Sequence, residues 1–335
     1  MKTQIIKPPI PIIFLDTFFF IDLVKNRHLS IKSPIFPKQL ELIDLIHKLT
    51  KQKKVLCPQG DQEEEYELGK YEDEIREEQV KLSYGISVTY HWGVKNWQTQ
   101  IATKAYLEKQ EVVVYDYKSI FQNDPIKELD RALSQPYIVD CHIPTPKEWI
   151  EKKKKTKQEL AEEFEELRKE KIKMNIKFSD WVKHEKLGTH DAILNTIKSV
   201  LPKLIRQEAL TEEEINGLQL LGDYSAYYSH YAKGDADPKE VMAFLRSDYY
   251  GSIPYIDIQS ELFASLLTQS GAVKDTDNFD FHQVSQTFPF SSYFLTDSSL
   301  KHRLTTNPLA YDKKYDVKVY SIREIEGLML ELSKL

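Results

Sequence analysis

The chain has 335 residues, of which 41% are hydrophobic and 29% charged, and carries a formal net charge of −6. That is the composition of an ordinary globular protein, long enough for one large domain or one domain with a sizeable insertion. It argues against a strongly basic, general nucleic-acid binder, and no apolar segment approaches the length of a membrane span. Two cysteines, Cys57 and Cys141, make no disulfide framework and have no metal-type spacing. They read as small buried hydrophobes in a protein of a reducing cytoplasm. The N-terminal apolar run is broken by prolines and ends in Asp16, so no cleavable signal pattern is expected.

Residues 10–16 are continuously apolar up to Asp16 and predict a buried strand. Phe18-Phe19-Phe20-Ile21 with Leu23-Val24 predicts a buried helix. Pro34 and Pro37 are read as breaks, and a helix over 39–49 presents Leu42, Ile43, Leu45, Ile46 and Leu49. Val55-Leu56-Cys57-Pro58 is a second short strand, and Gln59 to Leu68 starts a further helix. Between 70 and 245 the pattern changes. Ile86 to Val94 and Val112 to Tyr117 have strand character, while the remainder is mainly helical and highly charged. Thr145 to Lys177 has only the narrow apolar stripe Leu160, Phe164, Leu167, which suits a helix packed along one side. Thr211-Glu212-Glu213-Glu214 is a capped helix start, and residues 234–238 are a loop. The last ninety residues or so, by position, become compact again. A helix carries Leu262, Phe263, Leu266 and Leu267, and another begins near Asp275. Phe288-Pro289-Phe290 is a break, followed by a strand at 293–296, a helix at 298–304, a strand at 317–320 and a final helix at 323–332. No internal repeat is visible.

The chemistry-bearing signal is acidic. Asp16 ends the first strand, and Tyr293-Phe294-Leu295-Thr296-Asp297 repeats the device near the other end of the chain. Strand-end carboxylates can meet at one edge of a parallel sheet, where α/β folds bind ligands. Asp277 and Asp280, three apart, share a helix face, and Glu63-Glu64-Glu65 follows the second strand. Carboxylates gathered in a low-dielectric cleft repel one another unless a cation neutralises them, and oxygen-only ligands favour Mg²⁺ or Mn²⁺. The competing reading of each strand-end Asp is a helix N-cap. Asp297 before Ser298-Ser299 is open to it, and at least two of the three glutamates are expected to be solvated.

These pieces, in this order, resemble the PIN-domain nuclease family. The carrying segments are Ile12-Ile13-Phe14-Leu15-Asp16-Thr17, Val55-Leu56-Cys57-Pro58 followed by Gln62-x-x-Glu65, Asp277-x-x-Asp280-Phe281-His282, Phe288-Pro289-Phe290, and Tyr293 to Asp297 with Leu300. The resemblance covers about 1–70 and 250–335, with 71–249 as a mainly helical insertion. It implies an α/β fold, a three-layer α/β/α sandwich around a central parallel sheet. It also implies a metal-dependent endonuclease acting on nucleic acid, single-stranded RNA by family analogy. Asp16, Asp280 and Asp297 would be ligands of Mg²⁺ or Mn²⁺. Glu65, or Glu64 in the other register, would be the glutamate, Asp277 a second helical candidate, and Thr17 and Thr296 the hydroxyls that orient the carboxylates. A toxin or defence effector, or an RNA-processing enzyme, fits this class, as do self-association and an inhibitory partner protein. The chain departs from the pattern at Phe18 and at Ser291-Ser292, where many relatives carry polar or acidic residues.

Two rival readings remain. One is a catalytically weak module of the same fold that binds RNA or a protein. The other is a phosphatase with Asp16 as nucleophile, disfavoured because the second Asp it needs two residues on is Phe18. Elsewhere the blander reading is preferred. Lys152 to Lys155 balanced by Glu162, Glu163, Glu165 and Glu166 is a solvated helix face. His282 packs or caps rather than catalyses. Tyr224, Tyr227, Tyr228 and Tyr231 form a helix interface rather than a stack of base platforms, and Trp92 and Trp97 share that ambiguity.

Overall fold

A computed structural model describes residues 1–60, 71–135, 146–268, 273–274 and 276–335, with Lys153 described by its backbone alone. The elements in chain order begin β1 (Lys2–Ile6), β2 (Ile13–Leu15), α1 (Thr17–His28), α2 (Phe36–Lys51), α3 (Glu72–Ser83), α4 (His91–Leu107) and β3 (Val112–Asp116). Then follow α5 (Pro125–Ser134), α6 (Lys147–Lys173), α7 (Phe178–Arg206), α8 (Glu212–Ala232), α9 (Pro238–Leu245), α10 (Asp248–Gly251) and α11 (Pro254–Thr268). The chain finishes with α12 (Asp277–Thr287), β4 (Tyr293–Thr296), α13 (Ser298–Thr305), α14 (Tyr311–Lys314), β5 (Lys318–Ser321) and α15 (Ile325–Leu332). The fold is α/β, mostly helical with small parallel pairings. No helix among the described residues is long and apolar enough to cross a membrane.

The chain forms two compact units. One comprises 5–94, 116–170 and 270–335, the other 1–4, 95–115 and 171–269. The division expected at 70 and 250 therefore falls elsewhere. Residues 71–94 and 116–170 belong with the segments carrying the acidic motifs, whereas α11 belongs with the helical unit. Hydropathy marks elements, not which core each one joins, so the helical character of 71–249 concealed this partition.

In the first unit β2, β4 and β5 form a parallel sheet in the order β2-β4-β5, with Ile13 opposite Tyr293 and Leu15 opposite Leu295. The strand foreseen at Val55 to Cys57 is present as a single parallel bridge on the other side of β2. Ile13 N–H donates to the Leu56 carbonyl at 2.8 Å, and Leu56 N–H to the Pro11 carbonyl at 2.9 Å. Gln59 bridges in turn to Ser87. The strand expected over 86–94 is only this bridge and that of Val88 to Phe121, because α4 begins at His91.

Alternation along the sheet decides what each face packs. Ile13, Leu15, Tyr293 and Leu295 join one core with Phe19, Leu23 and Val24 of α1, Leu42 and Ile46 of α2, Ile75 and Leu82 of α3, and Leu328 and Leu332 of α15. Phe14 and Phe294 point the other way and stack with ring centroids 5.0 Å apart, and Phe288 packs on Phe294 at 5.1 Å. Pro37, read from sequence as a break, lies in the first turn of α2, where a missing N–H costs nothing. Cys57 is buried, and burial pushes its thiol up to about 12, as befits an inert small hydrophobe. Cys141 lies outside the described residues, as does the helix expected from 59 to 68 beyond Gly60.

The second unit is built on α7, against which α8 and α11 pack. Thr211 caps α8 reciprocally, its hydroxyl accepting from Glu214 N–H at 3.3 Å while Glu214 Oε2 accepts from Thr211 N–H at 2.9 Å. Tyr224 and Tyr228 are buried here, and the Tyr224 and Tyr250 hydroxyls meet at 3.0 Å, so these tyrosines are packing residues. Trp92 and Trp97 are exposed.

The Phe14–Phe294 stack is the test of the first unit's sheet. Both rings are fully buried, so Phe14→Ala is expected to cost about 3–5 kcal/mol in chemical denaturation, against less than about 1 kcal/mol for the exposed Leu29→Ala.

Candidate functional site

Asp16 stands between β2 and α1 and does two jobs. Its Oδ1 caps the helix, accepting from Phe18 N–H at 3.3 Å, and its Oδ2 accepts from Thr296 Oγ1 at 2.6 Å. The parallel pairing of β2 with β4 brings this about, since Leu15 lies opposite Leu295 and Asp16 N–H donates to the Leu295 carbonyl at 3.0 Å. The two strand ends are thereby adjacent. Asp297 is the matching cap of α13, its Oδ1 accepting from Ser299 N–H at 2.6 Å and from Leu300 N–H at 3.2 Å. The cap reading of both aspartates is thus what the structure shows, Asp16 using Oδ1 for its helix and Oδ2 for Thr296, and Asp297 using Oδ1 alone for its cap.

Asp16, Asp280 and Asp297 line one cavity of about 100 Å³. Thr17, Phe18 and Ile21 of α1, and Thr276 and Phe279 beside Asp280, complete its wall. Lys157 of α6 lines it as well. This lysine is 5% exposed, with Nζ over the Phe279 ring at 4.1 Å. Sequence reasoning missed it: Lys157 follows a lysine run, and nothing in the local pattern separates it from the solvated ones.

Burial pushes the Asp16 carboxyl up to about 6, against the hydrogen bonds from Thr296 and Phe18, with the neighbouring Asp297 charge adding to the rise. Thr296 does the orienting foreseen for it, whereas Thr17 acts on Asp16 through its backbone N–H.

The remaining candidates divide. Asp277 does not line the cavity. Its Oδ1 accepts from Arg303 Nη1 at 3.2 Å and its Oδ2 from Lys274 N–H at 2.8 Å, so it is a structural ion pair joining α12 to α13. The shared face expected of Asp277 and Asp280 is lost because three residues leave side chains about 60° apart around a helix, and here that angle separates an arginine from a cavity. Glu64 and Glu65 lie outside the described residues. Among the described residues no three His, Cys, Asp or Glu side chains are grouped closely enough to share one metal ion. Ser291 is buried with its hydroxyl donating to the Thr287 carbonyl at 2.9 Å, and neither it nor Ser292 lines the cavity. The His282 ring packs on that of His91, with centroids 4.6 Å apart.

No family model matches the chain, and neither a curated protein nor a solved structure does. The site therefore rests on its own geometry.

The raised Asp16 has a defined pH signature. Between about pH 4 and pH 6 the native carboxyl holds a proton that the unfolded chain has released, so stability falls as pH rises through that window. A shift of roughly two units corresponds to about 3 kcal/mol, and Asp16→Asn removes the slope. Carbon-detected NMR titration is expected to place Asp16 well above the other aspartates, and Thr296→Val to move it higher still by deleting a hydrogen bond to the charged form.

Proposed function

We propose that the first unit is a PIN-like three-layer α/β/α nuclease domain, and that the protein is a metal-dependent endonuclease cutting single-stranded RNA. The observation that carries the reading is the meeting of Asp16, Asp280 and Asp297, from the two ends of the chain, in one cavity. The sheet supports it through the parallel order of β2, β4 and β5 with the bridge at Leu56, and through apolar packing on both sheet faces.

The donor set suits a hard, hydrated cation. Mg²⁺ usually keeps several waters and takes only one or two carboxylates plus substrate phosphate, so it does not need a closed three-carboxylate cage. Asp297 and Asp280 would hold Mg²⁺ or Mn²⁺, with Asp16 joining once ionised. The ion would supply a water of lowered pKa and charge stabilisation on the phosphate. The chain's own contributions are distinct from this. Thr296 holds Asp16 in one orientation, the caps of α1 and α13 fix where each carboxylate sits, and Phe18 with Phe279 narrows the space around the reacting phosphate.

A second reading, a PIN-like module of weak activity that binds RNA or a protein, draws on the lack of a preformed three-ligand group among the described residues.

With Mn²⁺ the protein is expected to cut single-stranded RNA endonucleolytically, and Asp16→Asn with Asp297→Asn to lower the rate at least about 100-fold. Mn²⁺ should raise the melting temperature of the parent and not of the double variant. Cleavage surviving undiminished in the variant would overturn the assignment. A parent that binds RNA without cutting it, and without Mn²⁺-dependent stabilisation, would establish the second reading.

A further inference from the structure

The Lys152–Lys155 run and Lys157 lie on one continuous helix, α6, and the structure puts them in different surroundings. From Lys147 to Thr156 every described side chain is exposed except the half-buried Ile150, whereas Lys157 is buried against the acidic cavity. This stretch therefore has almost no packed stripe. The surface ion pair of Lys155 with Glu159, at 3.5 Å, does little to hold it. A helical segment that buries so little is not accounted for by core packing. Between Lys147 and Lys157 there are six lysines against two glutamates, in a chain whose net charge is −6. The local excess is thus opposite in sign to the whole.

The helix also carries the exposed indole of Trp149, at 60%. Trp149, Lys152 and Lys155 are each three residues apart and so follow one side of the helix, with Trp149 about 12 Å along the axis before Lys157. Cations and an aromatic leading away from a carboxylate cavity are the two components of a single-strand binding surface. The lysines meet backbone phosphates by releasing counterions, and the ring stacks on a base. The acidic cavity repels phosphate, so a polyanion needs a nearby cationic surface to be held there, and α6 reaches the cavity wall at Lys157.

We infer that the N-terminal half of α6 is the track along which single-stranded nucleic acid lies as it leaves the cavity, with Lys152 and Lys155 on its phosphates, Trp149 on a base and Lys157 at the cavity end. The inference rests on reading the cavity as the reacting centre, and it adds the surface that delivers the strand.

The test is fluorescence anisotropy of the full chain in an Asp16→Asn background, with a labelled single-stranded oligouridylate of about 12 nucleotides and no divalent metal, over a salt series. The double variant Lys152→Gln, Lys155→Gln is expected to bind at least about fivefold more weakly, and to lower the log–log salt slope by about 1.4. Trp149→Ala should weaken binding about fivefold or more and leave the slope unchanged. The control double Lys48→Gln, Lys51→Gln, exposed positions in the last turn of α2, should bind like the parent. All of these are surface positions, so circular dichroism should show each variant folded. Equal binding by the α6 variants, equal loss in the control double, or no RNA binding by the parent would each overturn the track. If the α6 variants lose RNA while the wild-type chain with Mn²⁺ never cuts it, the track stands and the nuclease reading falls. If wild type cuts and the α6 variants bind as the parent does, the nuclease reading stands and the track falls.

Discussion

The hydrogen bond from Thr296 to Asp16 joins residues 280 positions apart, and the candidate site depends on it. Bringing such distant stretches together carries a loop-closure cost that grows only slowly with length, and parallel pairing of β2 with β4 provides the enthalpic and apolar return. Once Leu15 lies opposite Leu295, the residues that follow have little freedom: each strand ends, a helix begins, and the residue at the junction caps it. Two aspartates at equivalent junctions of neighbouring parallel strands are then necessarily side by side. Burying the first of them is the main cost of the arrangement, with the charge of its neighbour adding to it, and the result is a carboxyl pushed up to about 6.

The same constraint explains why Phe18, Ile21 and Phe279 stand among the polar residues of the cavity wall. Phe18 and Ile21 come from the first turns of α1, whose opposite side is anchored in the core by Phe19, Leu23 and Val24. Phe279 comes from α12, which the Asp277–Arg303 ion pair fastens to α13. Asp277 and Asp280 thus serve one end, the first holding the helix so that the second faces the cavity. A lysine from α6 completes the wall, and its single charge offsets only part of what three ionised aspartates would bring. That residual negative charge is the physical ground for proposing a divalent cation, in line with the general rule that buried like charges persist only with a counter-charge.

Short apolar runs with a polar terminator are strong local signals, and Ile10 to Asp16 and Tyr293 to Asp297 were legible on that basis, as were the capping box at Thr211 and the caps of α1 and α13. Less legible were features with no local pattern. The bridge at Leu56 is too short to show periodicity. The β1 strand at Lys2–Ile6 carries three polar residues and is largely exposed, so nothing apolar announced it. Pro37 was taken for a break because a first-turn proline and a loop proline look alike until the helix register is known. The partition into units was hidden for the same reason: α3, α5 and most of α6 share composition with α7 and α8 but pack elsewhere.

What the linear chain determined by itself is the supply of groups: which strands end in carboxylates, where helices begin, which faces are apolar. These follow from periodicity and capping, which act over a few residues. Tertiary structure alone decided which of those groups meet. Asp16, Asp280 and Asp297 share a cavity while Asp277 pairs with Arg303, and Lys157 is drawn to the acidic wall while Lys154, one turn away, stays in water. Those choices turn on strand order and on tens of degrees of helix rotation, and neither is encoded at any single position.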